Sequence, residues 1–228
     1  MAVRGFGAAV MEGFLSGDGG SVVRNHRFGW LGFGGLILAA PQAAFAHPGG
    51  HAAGDAASSL WLGVLHPLTG LDHLCTMVLV GFLAGQLGGR ALYLLPAAFV
   101  AMMVAGGALG ASGVPLSLAE AGIALSMIVL GAVVALGIRL PTTLAAAVIG
   151  LFAVFHGQAD GAEMPETAVG LAFGLGFTLA TLGLLSAGIG FSFAVSRISG
   201  SWQTAAIRTT SGALVCAGAV LLYGGFAA

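Results

Sequence analysis

The sequence predicts an all-α fold, a polytopic bundle of about six transmembrane helices that follows a cleavable signal peptide. Apolar residues make up 58% of the 228 residues and charged residues only 7%, and the chain contains no lysine. An average soluble domain carries roughly 25% charged residues. The composition therefore excludes an ordinary soluble enzyme or a nucleic-acid-binding protein, and it makes the lipid bilayer an expected partner.

Residues 1–46 have the pattern of a signal peptide. Arg24 and Arg27 precede the apolar stretch FGWLGFGGLILAA, and Ala44 and Ala46 supply the small residues of a signal-peptidase site. Cleavage there produces a mature chain that begins at His47. The alternative is an uncleaved first membrane helix, which the shortness of the apolar stretch argues against.

Residues 47–58 are predicted to form an outer tail, and residues 59–228 the six-helix transmembrane domain. The segment HPGGHAAGD contains three glycines and a proline, which disfavour a stable helix and indicate a flexible tether. His47 and His51 are candidate ligands that would raise the local concentration of a metal ion near the membrane. The alternative is an unstructured tail with no metal role.

Six apolar segments follow the tail, each near or above the ~20 residues that cross a hydrocarbon core. Their approximate limits are 60–87, 91–111, 117–137, 141–157, 167–195 and 205–227. The first segment contains Pro67 and Gly70 and is predicted to be either continuous or broken into a half-helix and a span. If it is broken, Pro67 is expected in the first turn of the second helix.

The charges predict the orientation of these segments. Arginine-bearing connections stay in the cytoplasm, and a cleaved signal places the mature N-terminus outside. Six crossings then leave all mature arginines on the inner side: Arg90, Arg139, Arg197 and Arg208. The opposite side receives the acidic residues Asp55, Asp160, Glu163 and Glu166. Both termini are therefore expected in the periplasm of a Gram-negative bacterium, with the bundle in the inner membrane.

The motif HPLTGLDH places ionisable residues in the outer half of the first span. Such residues are costly inside a bilayer and usually face a functional cavity. On a continuous helix His66, His73 and Met77 share one face, but a rise of about 10.5 Å separates the two histidines. Because metal–nitrogen distances are ~2 Å, the histidines either serve two sites or lie on a broken helix. Met77 is expected to pack in the core.

A second cluster, FHGQADGAEMP, follows the fourth span. His156, Asp160 and Glu163 share a face if the helix continues beyond Gly157, although Gly157 and Gly161 favour a frayed end. His156 is the strongest candidate here. The two acidic residues are predicted either to contact a metal or to be solvated charges of an outer loop.

Imidazole and carboxylate together indicate a borderline divalent transition metal rather than Mg2+ or Ca2+. Nickel, cobalt, zinc and copper all remain open on this chemistry. Asp72 is expected to be either a direct ligand or a partner that orients a histidine.

At these two motifs the sequence resembles a known family. HPLTGLDHLCTMVLVG is similar to the His-Pro-x-x-Gly-x-Asp-His-x-x-x-Met signature of the HupE/UreJ nickel permeases, and FHGQADGAE to their second signature, Phe-His-Gly-x-Ala-His-Gly-x-Glu. Asp160 stands where the family usually has histidine. The resemblance implies secondary uptake of Ni2+, in some members Co2+, as a transported substrate with no bound cofactor. It maps the family's motif residues to His66, Asp72, His73, His156 and Glu163.

Two other classes compete with a permease. An intramembrane zinc hydrolase would use the same ligands, with Glu163 as a general base, but no His-Glu-x-x-His motif is present. A metal-binding scaffold that moves nothing is the third class. The chain also lacks a Gly-x-x-x-x-Gly-Lys-Ser/Thr motif for ATP. A non-enzymatic permease is the preferred prediction.

Overall fold

A computed structural model describes residues 55–114, 118–164, 168–197 and 201–227, which form α-helices and no strand. The helices are α1 (Ala56–Thr69), α2 (Leu71–Leu87), α3 (Ala91–Ala111), α4 (Ala119–Ala135), α5 (Thr142–Ala162), α6 (Ala168–Val195) and α7 (Ser201–Ala227). The predicted signal peptide and the tail histidines His47 and His51 lie outside the described residues.

The helix lengths confirm a membrane bundle. Four helices are long and apolar enough to cross a bilayer, namely α3, α5, α6 and α7. Helices α1 and α2 satisfy the same criteria only as a pair, which makes up to five candidate spans. The remaining apolar segment forms α4, whose 17 residues fall short of the ~20 expected for a span. The sequence predicts six spans, whereas the described part of the chain contains four or five candidate spans.

The first predicted span is broken. Helix α1 ends at Thr69, Gly70 adopts an extended conformation (φ −81°, ψ 110°), and α2 starts at Leu71 at an angle of 79°. Pro67 was expected to begin the second helix, but it lies in the last turn of α1. The other end of α1 is capped by Asp55, which accepts a 2.8 Å hydrogen bond from the Ser58 backbone N–H. Hydrogen bonding to the Ser58 side chain and to its backbone N–H lowers the pKa of the Asp55 carboxyl.

Helix α5 continues to Ala162, so the expected end at 157 is wrong. A Cβ on Gly157 would collide with the Met103 carbonyl of α3, and a Cβ on Gly161 with the Gly107 carbonyl. The two glycines are therefore contact positions that let the helix backbones touch, as small residues do in membrane bundles. Tertiary packing outweighs their weak helix propensity.

Contacts at the glycines show which packed helices run parallel and which run antiparallel. The α1–α2 pair runs parallel to α6, α3 runs parallel to α5, and α4 runs antiparallel to α7, as alternate crossings require. The contacts are Gly63 with Phe173, Gly81 with Leu185, Gly106 with Val154, Gly110 with Gln158, Gly131 with Ser211 and Gly218 with Ala124. This alternation puts the turns at Arg90 and Arg139 at one end of the bundle. The start of α2 and the end of α5 lie at the other end.

The surface of the bundle suits a lipid environment. Exposed side chains include many large apolar ones, such as Leu171, which is 72% exposed. The tryptophans and tyrosines of the described residues are all exposed, and Tyr93, Trp202 and Tyr223 lie near helix ends, while Trp61 lies within the short helix α1. This is the distribution of aromatic residues at the two faces of a membrane. Arg208 was expected in a connection, but α7 begins at Ser201 and includes it.

Candidate metal site

The break at Gly70 brings His66 and His73 to one position. Their ring centroids are 6.1 Å apart, and the Nε2 atom of each ring lies 3.2 Å from the same oxygen, Oδ1 of Asp160. Of the two arrangements that the sequence allowed, the structure adopts the broken helix.

Asp72 contacts the other ring nitrogen of His73, Nδ1. Its Oδ1 accepts a 2.9 Å hydrogen bond from the His73 backbone N–H and lies 3.1 Å from Nδ1 of the same residue. Because Nδ1 faces Asp72, Nε2 is turned toward Asp160. Gly70 leaves room for this pair, since a Cβ there would lie 3.1 Å from Asp72 Oδ1 and 3.3 Å from His73 Nδ1.

Helix α5 supplies His156 and Asp160, which are one turn apart and both buried. The His156 ring packs edge-on against the ring of His73, with centroids 4.9 Å apart at 88°. Asp160 is 6% exposed, so it lies inside the bundle and not in a solvated loop. The continuation of α5 beyond Gly157 is what carries this carboxylate to the histidines.

Three buried atoms of this cluster have no hydrogen-bond partner in the part of the chain that the structure describes. They are His73 Nε2, His156 Nδ1 and Asp160 Oδ2. His73 Nε2 is near Asp160 Oδ1 but is not aligned for a hydrogen bond. Unpaired polar atoms are costly in a low-dielectric interior, so each calls for an explanation.

The distances between the donor atoms can be compared with those between the ligands of a metal ion. Two ligand atoms that each lie ~2 Å from one ion, at angles near 90–109°, are separated by about 3 Å. The nitrogen–oxygen distances of 3.2 Å are close to this value. Even so, no three His, Cys, Asp or Glu side chains of the described ranges already surround a common centre. The individual His–Asp pairs thus have the spacing of metal ligands, although a complete coordination shell is not preformed among the described residues.

Glu163 and Met77 were also singled out from the sequence, and the two residues differ in exposure. Glu163 is exposed and follows the last residue of α5. Met77 is fully buried in the hydrophobic core, as expected for a packing residue.

Sequence reasoning did not identify Phe173, Phe177 or Ser126 as neighbours of the cluster. Phe173 and Phe177 of α6 lie 5.5 and 5.7 Å from the His66 ring, and Phe177 lies 6.2 Å from the His73 ring. They form an apolar wall. On α4, Ser126 places its Oγ 3.1 Å from His156 Nε2. Phenylalanines are ordinary in an apolar span, so the sequence did not mark them as site residues. A single serine in such a span is only a weak indication of a site.

Comparisons with known proteins agree with this picture. The family model described as HupE / UreJ protein matches residues 36–221, which include both histidine motifs. The chain is 43% identical over 187 residues to Protein HupE of Rhizobium leguminosarum bv. viciae, a match that covers 82% of this chain and 94% of that protein. No solved structure matches the chain.

Proposed function

The chain belongs to the HupE/UreJ family, which is associated with nickel and cobalt uptake, and we propose that it is a secondary permease for Ni2+ or Co2+. In this proposal the ion passes through the buried cluster of His66, His73, His156 and Asp160. The bundle lies in the inner membrane with both termini in the periplasm.

The observation that carries the proposal is the set of buried atoms at His73, His156 and Asp160 that have no hydrogen-bond partner among the described residues. Two are imidazole nitrogens and one is a carboxylate oxygen, the donors that borderline divalent metals accept. Rotation of the Asp160 carboxylate, with small shifts of the rings, would turn the existing pairs into a coordination shell. An incomplete shell suits a permease, since a transported ion must also leave.

The charge balance of the cluster also favours a cation. Asp160 Oδ1 faces two imidazole nitrogens at 3.2 Å. Where neither nitrogen carries a proton, lone pairs face the carboxylate and repel it. A divalent ion between these atoms reverses that repulsion, because neutral imidazole and ionised carboxylate are both ligand forms.

Further parts of the proposal concern access to the site. The cluster is at the end of the bundle opposite Arg90 and Arg139, which the positive-inside rule assigns to the cytoplasm. The ion would therefore enter from the periplasm. Glu163 and the tail histidines His47 and His51 would attract the ion at that side, after removal of the signal peptide 1–46.

The zinc hydrolase is not proposed, because no observation favours it. Its general base was to be Glu163, which is exposed at the end of α5, whereas the unpaired donor atoms are buried.

Uptake of radiolabelled Ni2+ in a nickel-transport-deficient bacterial host tests the function. Cells that produce the protein should accumulate more Ni2+ than cells with an empty vector, and unlabelled Co2+ should compete better than Zn2+ or Cu2+. Equal accumulation in both cell types, with the protein present in the membrane fraction, would overturn the proposal.

A further inference from the structure

Ser126 contacts the ring nitrogen of His156 that faces away from the unpaired Nδ1. Its hydroxyl is fully buried in α4 and has three polar neighbours. These are the Ile123 carbonyl oxygen at 2.6 Å, His156 Nε2 at 3.1 Å and Thr76 Oγ1 at 3.4 Å.

The hydroxyl of Ser126 has one proton to donate, and its geometry indicates where that proton goes. The Ile123 carbonyl can only accept, and at 2.6 Å it is the nearest neighbour. A lone pair of Ser126 Oγ directed at that carbonyl would be repulsive at this distance. The hydroxyl therefore donates to Ile123 and accepts from its other neighbours.

His156 must then donate from Nε2 to Ser126. A neutral imidazole carries its proton on one nitrogen only, so a protonated Nε2 leaves a lone pair on Nδ1. That nitrogen is buried and has no hydrogen-bond partner among the described residues. A metal needs such a lone pair, and a hydrogen bond from the other ring nitrogen is the usual way to orient a metal-binding histidine.

We propose that Ser126 is a positioning residue that fixes the His156 tautomer and so presents Nδ1 to the transported metal. This inference rests on the proposed function. It also assigns α4, which contributes no candidate ligand, a part in the metal site. The competing explanation is that Ser126 only fills a small space and bonds to its own helix.

Two variants separate these explanations. Ser126→Ala removes the acceptor of the Nε2 proton, and Ser126→Thr keeps a hydroxyl at the same position. Ser192→Ala is the control, because Ser192 is a buried serine that packs near Gly85 at the other end of α2. The probe is Ni2+ alone, titrated into protein purified in detergent.

We expect Ser126→Ala to weaken Ni2+ binding by about 10–100-fold, the usual effect of removing a partner that orients a ligand. Ser126→Thr should restore most of the affinity, and Ser192→Ala should bind as the parent does. Parent-like affinity in Ser126→Ala would overturn the inference.

The tautomer itself can be measured without metal. In histidine labelled with 15N, protonated and unprotonated ring nitrogens resonate at different positions, and the signals missing from His156→Gln identify residue 156. The parent should show Nδ1 of His156 unprotonated, and Ser126→Ala should lose this preference. An unchanged tautomer in Ser126→Ala would overturn the positioning role even if Ni2+ binds. Absent Ni2+ binding in the parent would instead reject the proposed function.

Discussion

His66 and His73 direct their Nε2 atoms to the same carboxylate oxygen of Asp160, although the two residues lie on helices that meet at 79°. The extended conformation of Gly70 makes this possible. A continuous helix would separate the two side chains by about 10.5 Å along its axis. The break and the carboxylate of α5 are therefore the two features on which the proposed metal site depends.

Asp160 should be required for uptake as an oxygen ligand. Asp160→Asn keeps the size of the side chain but removes its charge, so we expect Ni2+ uptake to fall about 10-fold or more. Asp160→His introduces the residue that the family signature usually has there, and it should retain uptake. Initial rates in intact cells measure both effects. Loss of uptake in Asp160→His together with normal uptake in Asp160→Asn would contradict this role.

Gly70 should matter because of the space it leaves beside Asp72 and His73. The Cβ of Gly70→Ala would press on both side chains at 3.1 and 3.3 Å, and we expect uptake to decrease several-fold. Gly183→Ala is the matched control, because a Cβ at Gly183 meets nothing within 4 Å. Uptake rates at equal protein levels provide the measurement. Equal rates for the two variants would show that the space at Gly70 is unimportant.

Gly157 should stabilise the bundle by letting α5 touch α3. The added methyl of Gly157→Ala collides with the Met103 carbonyl, and such overpacking costs about 1–3 kcal/mol. The melting temperature in detergent should fall. Gly190→Ala, at a position with open space in α6, should melt at or slightly above the parent temperature. A parent-like melting temperature for Gly157→Ala would refute the close contact.

The tail histidines should act only when nickel is scarce. A weak tethered ligand raises the local ion concentration, and this benefit disappears at saturation. We expect His47→Ala combined with His51→Ala to lower uptake at limiting Ni2+ and to leave the maximal rate unchanged. Concentration-dependent uptake separates the two regimes. Identical rates for the double variant and the parent at limiting Ni2+ would remove the capture role without affecting the buried cluster.

Local patterns predicted much of this fold. The third helix has the expected limits of 91–111, because a long apolar segment between polar turns defines its own ends. A break near Gly70 was also among the predictions, since Gly70 and Pro67 are local signals. The end of α5 was not predictable in this way. Its continuation depends on contacts between Gly157 and a different helix.

The candidate site was predicted as a set of residues but not as an arrangement. Spacing alone left His66 and His73 in one site or two, and it left Asp160 either buried or solvated. Their meeting depends on how α1, α2 and α5 pack, which no single segment encodes. Ser126 shows the same limit, because its contact with His156 joins residues from two helices.

The most direct test of the account is Ni2+ uptake by His66→Ala and His73→Ala in a nickel-transport-deficient host. The matched control is Glu120→Gln, which changes an exposed charge in the first turn of α4. At equal amounts of protein in the membrane, each histidine variant should lose most of the uptake, about 10-fold or more, and the control should keep it. Near-parent uptake by both histidine variants would contradict a metal site at the break.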